Sequence, residues 1–183
     1  MTNSNLIQIE QSEEQGRCAG EFTQNAAIQS VRMARSLVVA DAERFHRAPI
    51  GSLATSVGFG VGAVLRSDAA VGFTTDFTFA IRRVEETKDA VSLVEVSCSL
   101  ESQYALRPGF TPNDEQLAAF HRAGAVLHVW PYFREFIQSS VVRAGLPAPP
   151  VALLCLVAAP KQVRAASSSA PPKRRLRRLK PVG

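Results

Sequence analysis

The fold is decided by one stretch of sequence, residues 73–82, which reads FTTDFTFAIR. Phe73, Thr75, Phe77, Phe79 and Ile81 occupy alternate positions, and most of the positions between them are polar. Successive side chains of a β-strand point to opposite faces, so this alternation places the large apolar side chains on a single face. The stretch therefore predicts a strand with one buried face and one polar face.

Two neighbouring stretches show the same alternation, 57–65 (VGFGVGAVL) and 93–100 (LVEVSCSL). The links 66–70 and 85–90 are much shorter than the crossover that a parallel pair of strands requires. These three stretches therefore predict an antiparallel meander. Residues 26–48 predict a fourth strand, although AIQSVRMARSLVVADAERF also has helical spacing and leaves a helix open as an alternative.

Two helices are predicted after the strands. Thr111 is a candidate N-cap before Pro112 at the first helical position, and the first helix is expected to stop near Gly124. The residue before a proline disfavours helical angles, so the second helix is expected to begin at Pro131. Gly145 is placed just after its C-terminus. The second helix has one apolar stripe, formed by Phe133, Phe136, Ile137, Ser140 and Val141.

The ends of the chain differ from its middle in composition. Residues 1–25 are polar and are expected to form a flexible N-terminal segment, and 26–159 are expected to form one folded domain. Within that domain, 151–159 (VALLCLVAA) predicts a last short strand or helix. Residues 160–183 are rich in Ala, Ser, Pro, Lys and Arg and are expected to be disordered.

The formal net charge of +5 conceals a split between the two parts of the chain. Residues 161–183 hold eight Lys and Arg and no acid, whereas residues 1–160 hold 13 basic and 16 acidic residues. A basic interaction surface is therefore expected only in the C-terminal tail. Its charge is concentrated in the basic segment 173–180, KRRLRRLK, whose charged residues are Lys173, Arg174, Arg175, Arg177, Arg178 and Lys180.

The usual signatures of metal sites and catalytic centres are missing from the sequence. Cys18, Cys98 and Cys155 are widely spaced, which favours buried free thiols over a disulfide framework or a zinc site. The three histidines form no pattern with carboxylates or cysteines. We therefore expect no cofactor, no metal and no enzymatic activity. A secretory signal pattern is absent and the longest apolar run is too short to cross a membrane, so the expected location is the cytoplasm.

The glycine-rich stretch GFGVG, residues 58–62, does not fit a phosphate-binding loop, because no Lys follows and no helix opens after it. We interpret it as a strand whose glycine face is flat or is approached closely by another backbone. An exposed strand of this kind would also present apolar side chains to an extended peptide.

The segment after Trp130 carries a family resemblance. It reads WPYFREFIQSSVVRAGLPAPPV, residues 130–151, and it resembles the signature region of the SecB family of export chaperones. The shared features are a Pro-Tyr-x-Arg-Glu helix, a break at a glycine and a proline-rich turn into a further apolar segment. The resemblance implies an α+β fold, with a four-stranded antiparallel sheet and helices packed beside it, and assembly as a homotetramer.

The resemblance also implies an activity. It predicts an ATP-independent holdase that binds unfolded polypeptides along hydrophobic grooves, for protein export or to protect the aggregation-prone antitoxin of a toxin–antitoxin system. Binding to the export motor SecA is left open, because the family uses an acidic surface for that contact and the end of this chain is basic.

The residues that match the groove-lining segments of the family fall in two places, the glycine-alternating strand and the segment after the proline break. Trp130 and Tyr132, near the start of the second helix, are further candidates for client contact. Arg134 and Glu135 are expected to be structural, bridging to neighbouring residues or across a subunit contact. The predicted peptide-binding residues are Val57, Phe59, Val61, Trp130, Tyr132, Leu153, Leu154 and Leu156.

Two other classes of function compete with the chaperone interpretation. A nucleic-acid-binding or anionic-surface-binding accessory protein would act through the basic segment, and its binding would weaken with salt. A small-molecule enzyme in a related α+β fold would need a polar constellation inside a pocket, and the sequence shows none.

Overall fold

The structure is a computed structural model that describes residues 6–84 and 91–159. The elements are β1 (Leu6–Gln11), α1 (Glu13–Asn25), β2 (Ala26–Ala40), α2 (Ala42–Arg47), β3 (Leu53–Arg66), β4 (Ala70–Arg83), β5 (Val91–Leu106), α3 (Asp114–Phe120), α4 (Val126–Arg143) and β6 (Leu153–Ala158). Three consecutive strands, β3 to β5, are followed by two helices, an order typical of the α+β class.

Four long strands form one antiparallel sheet in the order β2-β5-β4-β3. The meander predicted from the alternating stretches is confirmed as β3-β4-β5, and the fourth strand, β2, lies beside β5. The predicted fold class is thereby confirmed. Because β2 and β3 are the two outer strands, each has one edge that pairs with no other strand among the described residues.

The alternation in β4 produces the expected two-faced strand. Phe77 is paired with Cys98 on one side and with Phe59 on the other, so apolar residues of three strands share one face. Phe77 and Phe79 are almost fully buried on that face, whereas Thr78, between them, is exposed. The sheet therefore has a helix side, which is apolar, and an open side, which is polar.

Helix α4 covers the helix side of the sheet. The ring of Phe133 stacks on that of Phe77 with 4.4 Å between centroids and 21° between planes. Val129, Ile137 and Val141 are fully buried in the same cluster. Each such side chain contributes about 1.5–3 kcal/mol relative to remaining exposed, so this contact holds α4 on the sheet.

The predicted start of the second helix at Pro131 is wrong, because α4 begins at Val126 and contains Pro131. Val126, Val129 and Trp130 extend the buried stripe toward the N-terminus. Their burial outweighs the cost of a proline in a helix interior, which is about 3 kcal/mol.

The helix stop predicted near Gly124 is also wrong, since a π-helical turn, His121–Ala125, joins α3 directly to α4. The N-cap of α3 is Asn113 rather than Thr111: its side chain accepts a hydrogen bond from the Gln116 amide, and the Gln116 side chain accepts one from the Asn113 amide. This capping box satisfies the amides of both Asn113 and Gln116, and Gln116 is too far along the chain for a hydroxyl at 111 to reach.

The end of α4 agrees with the sequence prediction. Gly145 has a φ of 79°, in the left-handed region that favours glycine. The Gly145 amide donates to the Val142 carbonyl and the Leu146 amide donates to the Val141 carbonyl. These two bonds form a Schellman motif that ends the helix and directs the chain toward β6.

The N-terminal segment differs from the flexible one that its composition predicts, because residues 6–25 form β1 and α1. Phe22 is fully buried in a second core cluster and contacts the rings of Phe73, Tyr104 and Phe120. A few buried residues hold α1 in place while its many Glu and Gln side chains face outward, so average composition does not reveal the helix.

The last apolar segment is a strand. It forms β6, which pairs in parallel with β1 from Leu6↔Leu153 to Gln11↔Ala158. The two strands make a separate two-stranded sheet, and Ile7, Ile9 and Leu154 on its inner face pack against the main core.

The predicted link 85–90 and the predicted C-terminal tail 160–183, including the basic segment, lie outside the described residues. Among the helices that the structure does describe, none combines the length and the apolar character required to span a bilayer.

We predict that Gly124→Ala destabilises the protein by about 1–3 kcal/mol, a range typical of overpacked cores. A Cβ at Gly124 would lie 2.6 Å from Cδ2 of the buried Phe120 and closer still to Cε2. The matched control is Gly20→Ala in α1, where the new Cβ has open space and gains about 1 kcal/mol of helix propensity. Urea unfolding measures both, and equal midpoints for the two variants would contradict the placement of Phe120.

We also predict a loss of stability at mildly acidic pH. Burial lowers the pKa of His121 below its ordinary value, while its hydrogen bond to the Thr74 carbonyl, 2.9 Å from Nε2, acts in the opposite direction. The unfolded chain takes up the proton as the pH falls through about 6.5, so stability is complete above that pH and declines below it.

The decline is limited to about 1.4 kcal/mol per pH unit for one proton. His121→Gln keeps a donor for Thr74 and should flatten the curve between about pH 7 and 5. Burial also lowers the pKa of His128, so His128→Gln is the second arm of the experiment. If the stability of the wild-type protein does not change with pH over this range, His121 is not buried in the way described here.

Candidate functional site

The first group of predicted binding residues lies along the edge strand β3. Val57 is paired with Phe79 and Phe59 with Phe77, so both side chains lie on the helix side and are partly buried against the core. Val61, further along the strand, is 48 % exposed. Beyond Val61 a bulge interrupts the pairing, and it resumes at Val64. Strand β3 thus presents an apolar ridge that becomes more exposed toward the bulge.

The glycines of GFGVG occupy the opposite, open side of β3. A Cβ at Gly58 would lie 2.9 Å from the Thr78 hydroxyl oxygen, and one at Gly62 would lie 3.1 Å from the Thr74 carbonyl oxygen. Gly60 has open space instead. Two of the three glycines are therefore explained by close approach of the neighbouring strand β4, which agrees with the interpretation of this stretch as a flat strand surface.

The second group lies on β6. Leu153 points outward and is 56 % exposed, whereas Leu154 faces inward and packs against the core. Leu156, which pairs with the buried Ile9, is 39 % exposed. Because β6 pairs only with β1 among the described strands, its outer edge leaves both apolar side chains and backbone groups accessible.

The third group is divided between core and surface. Trp130 is 4 % exposed and packs against Phe77 and Phe133, with ring centroids 5.9 and 5.4 Å away. Its ring therefore stabilises the contact between α4 and the sheet and is not accessible on this chain. Tyr132 is 51 % exposed on the other face of α4. The roles of Tyr132 and of the accessible β3 and β6 residues in peptide binding stay predictions.

Arg134 and Glu135 do not form an ion pair with any residue in the described ranges 6–84 and 91–159. Glu135 is exposed, and Nε of Arg134 is buried without a hydrogen-bond partner. A buried guanidinium donor without a partner is costly, so Arg134 is a position where a further contact would stabilise the protein. Their expected structural role across a subunit contact stays a prediction.

One apolar surface was not predicted from the sequence. The edge strand β2 exposes five large apolar side chains, namely Ile28, Met33, Leu37, Val38 and Val39. The only signal for it is the run SLVVA, residues 36–40, which is apolar at successive positions and so gives a strand apolar on both faces. The sequence could not show that this strand lies at the edge of the sheet.

Two acids on the open side of the sheet, Asp76 and Glu101, are paired with arginines. Arg32 forms an ion pair with Glu101 at 2.6 Å. Arg35 donates to the Ser99 hydroxyl at 2.8 Å, and that hydroxyl donates to Asp76. Each acid on this part of the face thus has an arginine beside it, so the surface is not acidic overall.

The side chains of His128 and Cys98 make contacts within the fold. Nδ1 of His128 lies 2.9 Å from the Tyr104 hydroxyl. Burial, together with the nearby Asp76, raises the pKa of Cys98 to about 11, which makes its thiol unreactive. No group of three His, Cys, Asp or Glu side chains comes together within the described part of the chain. The apolar strand edges described above are suited to binding extended polypeptide.

Comparisons with known proteins identify a structural neighbour. No family model matches the sequence, and no curated protein matches it significantly. The structure is similar to that of the SecB-like chaperone Rv1957 of Mycobacterium tuberculosis, solved in complex with a ChAD peptide from the antitoxin HigA1, Rv1956. The TM-score is 0.63 at 19 % sequence identity, over 76 % of this chain and 97 % of the neighbour.

A second structure, a protein of unknown function from Streptococcus agalactiae, has a TM-score of 0.39 at 7 % identity and covers 70 % of this chain and 97 % of its own. Only the first similarity is strong enough to assign a fold. It agrees with the resemblance carried by residues 130–151. The chain accordingly has the SecB-like fold, as its Pro-Tyr-x-Arg-Glu helix and alternating strands predict.

Proposed function

We propose that this protein is an ATP-independent chaperone, a holdase that binds unfolded polypeptides through exposed apolar strand surfaces. The observation that carries the proposal is the exposure of Leu153 and Leu156 on β6, next to an unpaired strand edge. An extended client can pair with that edge through its backbone while its apolar side chains contact the leucines. Backbone pairing requires no particular sequence, which suits a protein with many clients.

Binding of this kind involves no covalent chemistry. A holdase binds the unfolded state of its client and lowers the concentration of free chains that can aggregate. The client affinity then depends on the apolar area that becomes buried, at roughly 25 cal/mol per Å². The absence of a catalytic pattern in the sequence is compatible with this mode of action.

For the client, we favour an aggregation-prone antitoxin over an exported preprotein. The structural neighbour from M. tuberculosis was solved with a peptide of an antitoxin, which supports this class of partner. The paired charges on the open side of the sheet argue against a SecA contact of the kind that the family makes through acidic surface, because Arg32 and Arg35 neutralise Glu101 and Asp76. The three free cysteines support a reducing compartment, and we place the activity in the cytoplasm.

We further propose that the chain assembles as a homotetramer in which β2 is covered. Strand β2 is 15 residues long, with an open edge and five exposed apolar side chains. Such an edge readily pairs with another strand unless it is protected by charges, by proline or by a covering element. Leu37 and Val39, which are 60 % and 53 % exposed, lie at its most apolar part.

The assembly is tested by light scattering coupled to gel filtration. The wild-type protein is expected to have a mass about four times that of the 19.8 kDa chain. Placing Lys at both Leu37 and Val39 introduces the charges that block edge pairing, and should at least halve the mass. The matched control, Leu65→Lys, changes an equally exposed leucine on the opposite edge strand and should leave the mass unchanged. A monomeric wild-type protein would refute the proposed assembly.

The holdase activity is tested by diluting a denatured client into buffer with and without the protein and following turbidity. Replacing both Leu153 and Leu156 with Ser should weaken client binding at least ten-fold, because each buried leucine contributes about 1 kcal/mol or more to the contact. The control is Val142→Ser on α4, which is 53 % exposed but lies outside the predicted surface. Circular dichroism verifies that all variants fold. No effect of the wild-type protein on turbidity would refute the holdase.

The same turbidity assay distinguishes the holdase from a nucleic-acid-binding or anionic-surface-binding protein that acts through the basic segment. A full-length variant with Gln at all six Lys and Arg positions of residues 173–180 should still protect the client. If this variant loses all activity, and the wild-type protein binds RNA with strong salt dependence, the second function is correct.

A further inference from the structure

Strand β1 lies in an apolar site beside β6. The two strands pair in parallel along all six residues and form a sheet separate from the four-stranded one. The side chain of Ile9 is 7 % exposed and belongs to the main core cluster, and Ile7 is partly buried against that cluster. Gln8 and Glu10 are exposed. We call the edge of β6 and the core surface that Ile7 and Ile9 cover the β1 site.

Few interactions hold β1 in the β1 site. A two-stranded sheet is only marginally stable by itself, and parallel pairing is slightly weaker per residue than antiparallel pairing. Among the described strands, β1 pairs with β6 alone. Local opening of an element with so few buried contacts requires less free energy than global unfolding. We therefore expect β1 to leave the site in a small fraction of the molecules.

Helix α1 can stay folded when β1 leaves. Ser12 alone separates the two elements, and its hydroxyl caps α1 by accepting a hydrogen bond from the Gln15 amide. Phe22 holds α1 in the second core cluster, whereas Ile9 belongs to the main one. Because different groups of buried residues hold the two elements, β1 can separate from β6 by rotation of the backbone near Ser12.

We propose that the β1 site is a second site for extended polypeptide, which β1 covers until a competing segment takes its place. The bound β1 indicates what such a segment requires. It must run parallel to β6 and carry large aliphatic side chains two residues apart, in place of Ile7 and Ile9. The positions equivalent to Gln8 and Glu10 accept many side chains, because both residues are exposed. The site differs from the outer edge of β6, where the client contact is proposed.

In this arrangement β1 is an inhibitory strand. The apparent affinity of a competing segment is reduced by the fraction of molecules in which the site is open. Loosening β1 should therefore strengthen binding at the β1 site, whereas loosening a strand with a purely structural role would not. That the competing segment belongs to an unfolded client rests on the proposed function, but the exchange itself does not.

The exchange is tested on the full-length protein with a fluorescent peptide that has the sequence of residues 6–12, LIQIEQS, by fluorescence anisotropy. Ile9→Ser removes the more deeply buried side chain of β1 and leaves the residues of the site unchanged. It should strengthen binding of the peptide at least ten-fold. The matched control is Gln8→Ser, at an exposed position of the same strand, which should bind as the wild-type protein does. Circular dichroism verifies that both variants fold.

A reversible lock gives a second measurement. Gln8 is the register partner of Cys155 in the parallel pair. Neighbouring strands lie about 4.8 Å apart, a separation that a disulfide can span. Adding Gln8→Cys to Ile9→Ser allows a disulfide between β1 and β6, and its formation on oxidation is verified by mass spectrometry. Oxidation should weaken peptide binding at least ten-fold and reduction should restore it, whereas Ile9→Ser alone should show neither change.

Two results would overturn the proposal. One is equal binding of the peptide by the Ile9→Ser and Gln8→Ser variants, including no binding by either. The other is equal binding by the oxidised and reduced forms of the double variant. If the wild-type protein still suppresses turbidity in either case, the proposed holdase function stands. Conversely, a protein that exchanges β1 for the peptide but does not suppress turbidity contradicts only the holdase.

Discussion

The packing of α4 across β4 and β5 is the interaction on which the rest of the structure depends. Phe133 stacks on Phe77, and the fully buried Val129 and Ile137 continue the contact along the helix. The long helix can occupy this position only because the large apolar residues of β4 all share one face. The same contact explains why α4 continues through Pro131, since ending the helix there would expose the residues that precede it.

Helix α4 covers one face of the central strands but leaves the edges of the sheet uncovered. Within residues 6–84 and 91–159, strands β2 and β3 each have one edge without a paired strand and expose apolar residues, and the ribbon of β1 and β6 exposes Leu153 on its outer face. Exposed apolar surfaces such as these tend to bind other polypeptide chains. The proposed assembly would cover β2, and the proposed client binding would use β6. Assembly and client binding would then both use apolar surface that the core of a single chain does not bury.

Several ionisable side chains in the described residues form contacts that belong to the fold. His121 links the π-helical turn to the Thr74 carbonyl of β4, and the hydroxyl of Tyr104 lies beside His128. Arg32 and Arg35 pair with Glu101 and Asp76 on the open sheet face.

The sequence by itself determined the alternating strands of the meander, the glycine that ends α4 and the helix that resembles the SecB signature. Each of these depends on local rules, namely side-chain alternation and the freedom of glycine at positive φ. It also predicted a strand at Val61 and an apolar element at Leu153, although it left strand and helix open for the second, and the part of both residues in peptide binding stays a prediction. Only the tertiary structure decided that α1 is folded, that Trp130 is buried and that β2 is an edge, because each depends on contacts with residues far away in sequence. Phe22 is buried by Phe73, Tyr104 and Phe120, and its own neighbours in the chain give no indication of those partners.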